Sequence, residues 1–300
     1  MIINTDNLYK AFGKCDALRG LSMAVPEESV FALIGANGAG KTTTIKVLMN
    51  LVRPTAGSAT VLGVDSRRLS PRERSQIGYV SENQEMPGRL RVGQYLDYLR
   101  PLYSTWDPQL EQTVLQQLNL PMDRRIKDLS HGMRLKMALA CALPFKPKLL
   151  VLDEPFSGLD SLIREEFMEQ LLLQAGEMTI LISSHELADI EGAATHVAYI
   201  EQGQLLFQEG MDELFARTRE VRVTLKDAAI APPGLPVHWL GVKTVGSVIS
   251  FVDVQFREDQ LQERLPTLLT GICDVQVQPV ALKDIFTTLA RAAQAGKLPT

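Results

Sequence analysis

Residues 35–42 read Gly35-Ala36-Asn37-Gly38-Ala39-Gly40-Lys41-Thr42. This stretch matches the pattern G-x-x-x-x-G-K-[ST] and follows an apolar run, residues 30–34, that has the length and composition of a buried strand. Glycines let backbone N–H groups approach phosphates closely, and a helix that starts after the loop directs its partial positive charge toward them. We therefore predict a phosphate-binding loop; the alternative is a glycine-rich turn with an incidental lysine.

The side chains at the end of this loop have different predicted tasks. Lys41 is placed to reach the β- and γ-phosphates of a nucleoside triphosphate. Thr42 offers a hydroxyl to Mg²⁺, which prefers oxygen ligands. The residues predicted to bind the nucleotide here are Gly35, Asn37, Gly38, Ala39, Gly40, Lys41, Thr42 and Thr43.

Two adjacent carboxylates leave a second apolar strand, in the stretch Leu149-Leu150-Val151-Leu152-Asp153-Glu154-Pro155. Neighbouring residues of a strand point to opposite sides, so the two acids need different roles. Asp153 is suited to holding the magnesium shell, and Glu154 to polarising the attacking water as a general base. The alternative is that both acids only cap the exposed end of a strand.

A third polar segment, Ser183-Ser184-His185-Glu186, follows the apolar run 178–182. Parallel strands bring their carboxyl ends to one edge of a sheet, so this segment is expected beside the first two. We predict that His185 faces the γ-phosphate and acts with Lys41 and Glu154 in catalysis. A histidine after a strand is more often structural, and this prediction therefore depends on the other two segments.

The order of apolar patterns divides the chain into parts. Strand-like runs alternate with helix-like segments, which favours an α/β fold with a parallel sheet. Helical spacing replaces the strand signal after Gln94, and we predict a helical subdomain over about residues 88–147. Alternating strands and a final helix follow Gly210, so we place a domain boundary near residue 218, between residues 1–218 and a small α+β domain at residues 219–300.

Composition limits the classes of partner. The 300 residues are 45% hydrophobic and carry a net charge of -4, which gives no basic field for nucleic acid or an anionic bilayer. Three widely spaced cysteines, Cys15, Cys141 and Cys273, form no metal-binding cluster or disulfide framework, so we expect a reducing cytosol. No run of about 18 apolar residues occurs. Any role at a membrane is therefore expected to come through a partner.

The motifs together resemble the ATP-binding-cassette ATPases, in order and spacing, over roughly residues 1–215. That family carries a signature, usually Leu-Ser-Gly-Gly-Gln, before the carboxylate strand, and Leu129-Ser130-His131-Gly132-Met133 lies at this place. The resemblance implies that Ser130 and Gly132 contact the ATP held by a second subunit in a head-to-tail dimer. His131 and Met133 depart from the pattern, and Ser130 also fits a simple helix cap.

Three more positions acquire roles from the resemblance. Phe12 is similar to the aromatic residue that stacks on adenine, although a lone Phe is otherwise more often a core residue. Glu82 lies where the family usually has a glutamine near Mg²⁺; a solvated surface acid is the alternative. Asp160, in Ser157-Gly158-Leu159-Asp160, resembles a contact across the dimer, or it ends an ordinary turn.

The resemblance implies a fold and a function. The expected fold is α/β: a P-loop NTPase core with an antiparallel β subdomain and a helical subdomain, followed by the small α+β domain. The expected function is ATP hydrolysis with Mg²⁺ in an exporter-type transporter, by a subunit that pairs with an identical copy and docks on a transmembrane permease at the cytoplasmic face of the membrane.

Two other functions remain as alternatives. A soluble cassette ATPase in nucleic-acid maintenance or translation needs a coiled-coil insertion, a zinc module, a second cassette or a basic patch, and the sequence contains none of these. A small-molecule kinase or GTPase could use the same phosphate loop. For residues 219–300 the sequence favours a structural addition, with reinforced dimerisation or binding of a regulator as alternatives.

Overall fold

The computed structural model describes residues 1–82, 84–176, 178–232 and 234–295. The chain divides into two compact units, Met1–Gln208 and a second that begins at Glu209. Across these described ranges, no helix has both the length and the hydrophobicity needed to cross a bilayer.

In chain order the first unit forms β1 (Ile3–Phe12), β2 (Cys15–Val25), β3 (Val30–Ile34), α1 (Lys41–Leu48), β4 (Ala56–Val61), β5 (Val64–Asp65), α2 (Pro71–Arg74), β6 (Ile77–Ser81), α3 (Val92–Leu99), α4 (Pro108–Leu118), α5 (His131–Ala142), β7 (Leu149–Asp153), α6 (Ser161–Ala175), β8 (Thr179–Ser184), β9 (His196–Glu201) and β10 (Gln204–Gly210). The predicted helical subdomain contains α3, α4 and α5, and β6 and β7 flank it.

A six-stranded sheet, in the order β10-β9-β3-β8-β7-β6, forms the centre of this unit. Strand β3 pairs in parallel with β8 and β9, and β7 pairs in parallel with β6 and β8. The register places Ile34 opposite Ser184, and Asp153 opposite Ser183. The three polar segments therefore leave the sheet at the same edge, as predicted for an α/β fold of this type.

A second sheet, in the order β2-β1-β4-β5, is antiparallel and covers one side of this core. Its inward residues, such as Leu8 and Leu21, share a buried cluster with Phe31 of β3, Ile45 of α1 and Val151 of β7. Because β1 and β2 alternate buried and exposed residues along much of their length, one face supplies the core and the other faces solvent. This sheet is the predicted antiparallel subdomain.

The helical subdomain has its own buried network around Glu111 of α4. The Glu111 carboxylate accepts hydrogen bonds from Arg100, at 2.8 and 2.7 Å, and from the indole N–H of Trp106 at 2.9 Å. Burial opposes ionisation of Glu111, but the bonds from Arg100 and Trp106 outweigh it and lower its pKa. The network fixes the segment between α3 and α4.

The second unit contains α7 (Met211–Arg217), β11 (Arg219–Leu225), β12 (Trp239–Val245), β13 (Val248–Asp253), α8 (Glu258–Leu268), β14 (Ile272–Pro279) and α9 (Leu282–Gln294). Its strands form one antiparallel sheet in the order β12-β13-β11-β14. One face of the sheet packs Val221 and Phe251 against Leu261 and Leu265 of α8.

The division between the units falls within the last residues of β10, after Gln208 and before α7, whereas the sequence places it near residue 218. Arg217, the last residue of α7, donates to Glu209 at 2.7 and 2.6 Å and to the Val254 carbonyl. The N–H of Phe256 donates to the Arg217 carbonyl at 2.8 Å. These bonds hold α7 to the second unit. The contacts with Val254 and Phe256 join residues too distant in sequence to be predicted from its pattern.

We expect Glu111→Ala to destabilise the chain by about 1–3 kcal/mol, because the indole N–H of Trp106 loses its buried acceptor. Asp97→Ala is the matched control: Asp97 contacts the same Arg100 at 2.5 Å but is 65% exposed, so its loss costs at most about 1 kcal/mol. Urea unfolding of both variants measures the difference. Since the pKa of Glu111 is lowered on folding, its contribution is present at neutral pH and is lost as the pH falls. Equal costs for both variants would contradict this account.

Candidate active site

The loop after β3 needs glycine at two positions for steric reasons. A Cβ at residue 35 would collide with the carbonyl oxygen of Ile200. Gly40 has φ 111°, and a Cβ there would lie 2.8 Å from the carbonyl oxygen of Ala17. Gly38 also has a positive φ, 82°, but has open space around it. The loop backbone is therefore folded tightly against its neighbours, as a phosphate cradle requires.

Lys41 opens α1 and is 4% exposed. Its ammonium group donates to the carbonyl oxygens of Gly35 at 2.6 Å and Ala36 at 3.2 Å, so it lies inside the curve of the loop. It also forms an ion pair with Glu154 Oε1 at 2.9 Å. A buried cation at the centre of the loop is positioned to neutralise phosphate charge.

Asp153 and Thr42 meet at the edge of the sheet. The Thr42 hydroxyl donates to Asp153 Oδ1 at 3.0 Å, and the Ser183 hydroxyl donates to the same oxygen at 2.8 Å. Burial raises the pKa of Asp153, and these two bonds offset part of the increase. The Thr42 hydroxyl and the Asp153 carboxylate supply oxygen ligands, which are the ligands that Mg²⁺ prefers. The residues present therefore fit the nucleotide and the metal predicted from the sequence.

Both carboxylate oxygens of Glu154 have partners. Oε1 pairs with Lys41, and Oε2 lies 2.8 Å from Nδ1 of His185. The glutamate has a positive φ of 50°, which non-glycine residues adopt rarely, so its backbone conformation must be stabilised by its surroundings. The structure thus brings together Lys41, Glu154 and His185, the three residues predicted to act in catalysis.

Ser183 is a residue of this site for which the sequence analysis predicts no role. Its side chain is fully buried, and its oxygen accepts a hydrogen bond from the Glu154 N–H at 2.9 Å while its O–H donates to Asp153. One hydroxyl therefore connects the two carboxylate residues and stabilises the unusual backbone of Glu154. The signal was present in the sequence as a polar residue at the end of an apolar strand, but the contact needs the register of β7 and β8.

Comparisons with known proteins agree on one family. A family model described as ABC transporter matches residues 18–157. The lantibiotic transport ATP-binding protein SrtF of Streptococcus pyogenes is 34% identical, in a match that covers 71% of this chain and 96% of SrtF. The chain belongs to the ABC transporter ATP-binding proteins. As a member of this family it is an ATPase.

Other relatives and solved structures support the assignment of the chain to this ABC family. The bacitracin transport ATP-binding protein BcrA of Enterococcus faecalis is 31% identical, with 73% of this chain and 72% of BcrA covered. An uncharacterized ABC transporter ATP-binding protein of Synechocystis is 32% identical, and the match spans 71% of this chain but only 62% of that relative. The structure of an ATP-binding subunit of an ABC transporter has a TM-score of 0.65 at 26% identity, covering 72% of this chain and 92% of its own.

A dimeric cassette in a post-hydrolysis state, bound to ADP and Pi, has the same fold. Its TM-score is 0.62 at 20% identity, and the match covers 70% of this chain and 98% of that cassette. At this identity the likeness concerns the fold alone.

The segment predicted to be the family signature, residues 129–133, lies at the start of α5. Ser130 is the N-cap, and its oxygen accepts a hydrogen bond from the Met133 N–H at 3.2 Å. The imidazole Nε2 of His131 lies 2.9 Å from the Ser157 carbonyl oxygen, which ties the start of α5 to the loop before α6. Asp160 caps α6 by accepting from the Ile163 N–H at 3.0 Å. Ser130 and Asp160 are therefore both helix caps. Their contacts across a dimer stay predictions.

Phe12 and Glu82 lie at the surface. Phe12 ends β1, is 50% exposed, and has the Lys10 ammonium 4.7 Å from its ring centre. An exposed ring is free to stack on a base, so this prediction stays open. The backbone N–H of Glu82 donates to the Asp153 carbonyl oxygen at 3.1 Å, while its side chain is exposed. The backbone therefore brings Glu82 near the carboxylate strand, and its role as a metal ligand stays a prediction.

We expect Ser183→Ala to lower kcat for ATP hydrolysis by about tenfold, with a smaller change in KM, because Glu154 loses the bond that holds its backbone. Ser184→Ala is the control, since the Ser184 hydroxyl is also buried but donates to Asp189. Both variants should lose about 1–3 kcal/mol of stability. Steady-state kinetics with thermal unfolding separates the two effects; equal losses of kcat would show that Ser183 is only structural.

Proposed function

We propose that two copies of this chain form a head-to-tail dimer that hydrolyses magnesium ATP and drives a separate transmembrane permease in export. The observation that carries this proposal is one connected group of side chains. Lys41 pairs with Glu154 at 2.9 Å, and Thr42 donates to Asp153 at 3.0 Å. Ser183 connects the two acidic residues through its hydrogen bonds to both. The three segments are far apart in sequence, and their convergence at one edge of the sheet matches the requirements of phosphoryl transfer.

The mechanism follows from the charges in this group. Lys41 offsets the negative charge of the β- and γ-phosphates, and Glu154 orients the attacking water and accepts its proton. His185 contacts the other oxygen of Glu154 and holds the carboxylate in place. Thr42 and Asp153 would hold Mg²⁺, which supplies charge neutralisation on the phosphates when bound.

The start of α5 supports the head-to-tail dimer. A Cβ at Gly132 would make only ordinary contacts, at 3.7 Å from Ile163 and Leu159, so the fold of this chain does not require glycine there. Ser130 uses its oxygen as an acceptor in the helix cap, which leaves its O–H able to donate. A small residue and a hydroxyl at a helix N-terminus suit the γ-phosphate of ATP bound to the second copy.

A groove of about 600 Å³ supports docking of the permease. It lies between the segment after β6 and helix α5, and Glu82, Met86, Lys127, His131 and Arg134 contribute to its lining. The lining combines apolar and charged groups, which suits a short helix of a partner protein. Because the groove contacts both Glu82 and the signature segment, a helix seated there would sense closure of the nucleotide site and would place the chain at the cytoplasmic face of the membrane.

The names of the relatives support export. SrtF is a lantibiotic transport ATP-binding protein and BcrA a bacitracin transport ATP-binding protein. YbhF of Escherichia coli is a probable multidrug ABC transporter ATP-binding protein, 30% identical over 224 residues that cover 38% of YbhF. We infer a substrate of the same general kind, an antimicrobial peptide or an amphipathic drug. No observation favours the alternative role in nucleic-acid maintenance, since the net charge is -4.

We expect Glu154→Gln to bind ATP normally but to hydrolyse it about 10²–10⁴ times more slowly, because the general base is lost. Lys41→Ala should instead bind ATP poorly, because the cation inside the loop is removed. Calorimetry measures binding, and phosphate release measures turnover. Hydrolysis by Glu154→Gln at the parent rate would reject the role of Glu154.

The dimer is tested at Gly132 in the Glu154→Gln background. Gly132→Asp places a negative charge in the first turn of α5, which favours the helix but repels a phosphate from outside. We expect an unchanged or higher unfolding temperature and loss of the ATP-dependent dimer in size-exclusion chromatography. Gly132→Ala, which adds only a methyl group, should retain most of the dimer. An ATP-dependent dimer of Gly132→Asp would contradict this arrangement.

A further inference from the structure

Strand β14, at the edge of the C-terminal sheet, has an open side. It pairs with β11 from Ile272 to Pro279, with an irregularity at Cys273, and it is the last strand in the order β12-β13-β11-β14. Within the residues that the structure describes, no strand pairs with its outer side, and every residue from Cys273 to Pro279 is exposed. An open edge presents unpaired backbone N–H and C=O groups, to which another strand can bind.

Hydrogen bonds near the end of β11 show which residues of β14 face outward. The N–H of Leu225 donates to Ser247, toward β13, and the N–H of Lys226 donates to Gly271, toward the β14 side. Backbone N–H and C=O groups alternate in direction along a strand. Those of Arg222 and of its even-numbered neighbours in β11 therefore point toward β14. The β14 residues opposite them, such as Gln276 opposite Arg222, direct their backbone groups toward β11. The backbone groups of Val275 and Val277 therefore point to the open side.

The side chains on this edge are apolar on one face. Val275 and Val277 pair with Val223 and Val221, which belong to the core under α8, and they remain 37% and 39% exposed. A cavity of about 630 Å³ lies between α8 and β14 on this face. Its apolar lining includes Leu261, Leu265, Leu269, Ile272, Val275 and Val277.

The two edges of the sheet differ in their protection. Exposed edges are usually blocked by charged side chains, prolines or irregularities. The opposite edge, β12, has Lys243, and its pairing is interrupted between Leu240 and Lys243, where Gly241 has a φ of 62°. Strand β14 has one charge, Asp274, and proline at its last position, and its ladder is irregular at Cys273, before the regular stretch 274–279. From Asp274 onward the edge of β14 is therefore open to pairing, whereas the edge of β12 is interrupted in its middle.

We propose that β14 is a self-association surface at which two copies of this chain pair antiparallel, joining their C-terminal sheets into one. This interface is separate from the nucleotide-dependent contact, and the proposal does not depend on ATP binding.

A second copy fits because the strand is complementary to itself. The ladder with β11 is regular from Asp274 to Pro279. A twofold axis that passes beside Gln276 pairs this regular stretch with the same stretch of the second copy. Val275 then lies opposite Val277 of the second copy. The outward N–H and C=O groups of the two strands hydrogen-bond to each other, and the valine side chains pack together. Asp274 lies opposite Gln278 of the second copy, and no like charges face each other. A shift by one residue would set outward groups against inward ones.

Cysteine cross-linking of the full chain tests this register. The exposed Cys15 and Cys273 are first changed to Ser. Residue 276 faces its own counterpart at roughly 4.5 Å between Cα atoms, within the range of about 4.4–6.8 Å that a disulfide spans. Gln276→Cys should therefore form disulfide-linked dimers on mild oxidation without nucleotide.

Two controls check the orientation. Gln278→Cys alone should stay monomeric, because residue 278 lies about 13 Å from its counterpart. A mixture of Gln278→Cys and Asp274→Cys should cross-link between the two variants, since these positions face each other in antiparallel pairing. Equal cross-linking of Gln276→Cys and Gln278→Cys alone would overturn the register.

Sedimentation of the full chain without nucleotide tests the association itself. We expect a concentration-dependent dimer, and Val277→Lys should raise its dissociation constant by about tenfold or more. Val245→Lys is the matched control, because Val245 is 75% exposed on β12 at the opposite edge. A monomer at all concentrations, or equal weakening by both variants, would overturn the proposal. Circular dichroism checks that each variant is folded.

Discussion

The shared hydrogen bonds at Asp153 Oδ1 are the interaction on which the candidate active site depends. This oxygen accepts from Thr42, at the start of α1, and from Ser183, at the end of β8. A buried carboxylate is costly unless polar groups surround it, and burial indeed raises the pKa of Asp153. The two bonds offset part of that cost and fix three separate chain segments at one point. The arrangement of Lys41 and Glu154 follows from that fixed point.

The sequence was sufficient to predict the convergence of these segments. Each motif lies directly after an apolar run, and parallel strands deliver such residues to one edge. The sequence could not predict that Glu154 is held on both sides by Lys41 and His185, because these contacts depend on side-chain orientations. Ser183 was missed for a related reason: its role requires that Asp153 and Ser183 lie opposite each other in the register of β7 and β8.

The domain organisation shows the same limit of sequence patterns. Alternating residues indicated strands after Gly210, and the first strand of the second unit, β11, is found at Arg219–Leu225. The short helix α7 before it has seven residues, which are too few for a clear helical period. Its place in the second unit depends on contacts of Arg217 with Glu209 and with Val254, 37 positions later in the chain. Contacts of single side chains therefore explain why the boundary between the units lies before α7 and not near residue 218. The periodic elements were recognisable from the sequence.

The two self-association surfaces proposed for this chain would restrict each other through symmetry. A head-to-tail cassette dimer places the α5 start of each copy on the nucleotide of the other, and the β14 pair also relates two copies by a twofold axis. If both surfaces join the same two copies, the two axes must coincide, and a closed dimer results. If the axes differ, each copy contacts two others and the assembly grows. In this scheme only the cassette contact requires ATP, so a closed dimer held at β14 would remain paired through hydrolysis and would bind the next ATP without first reassociating.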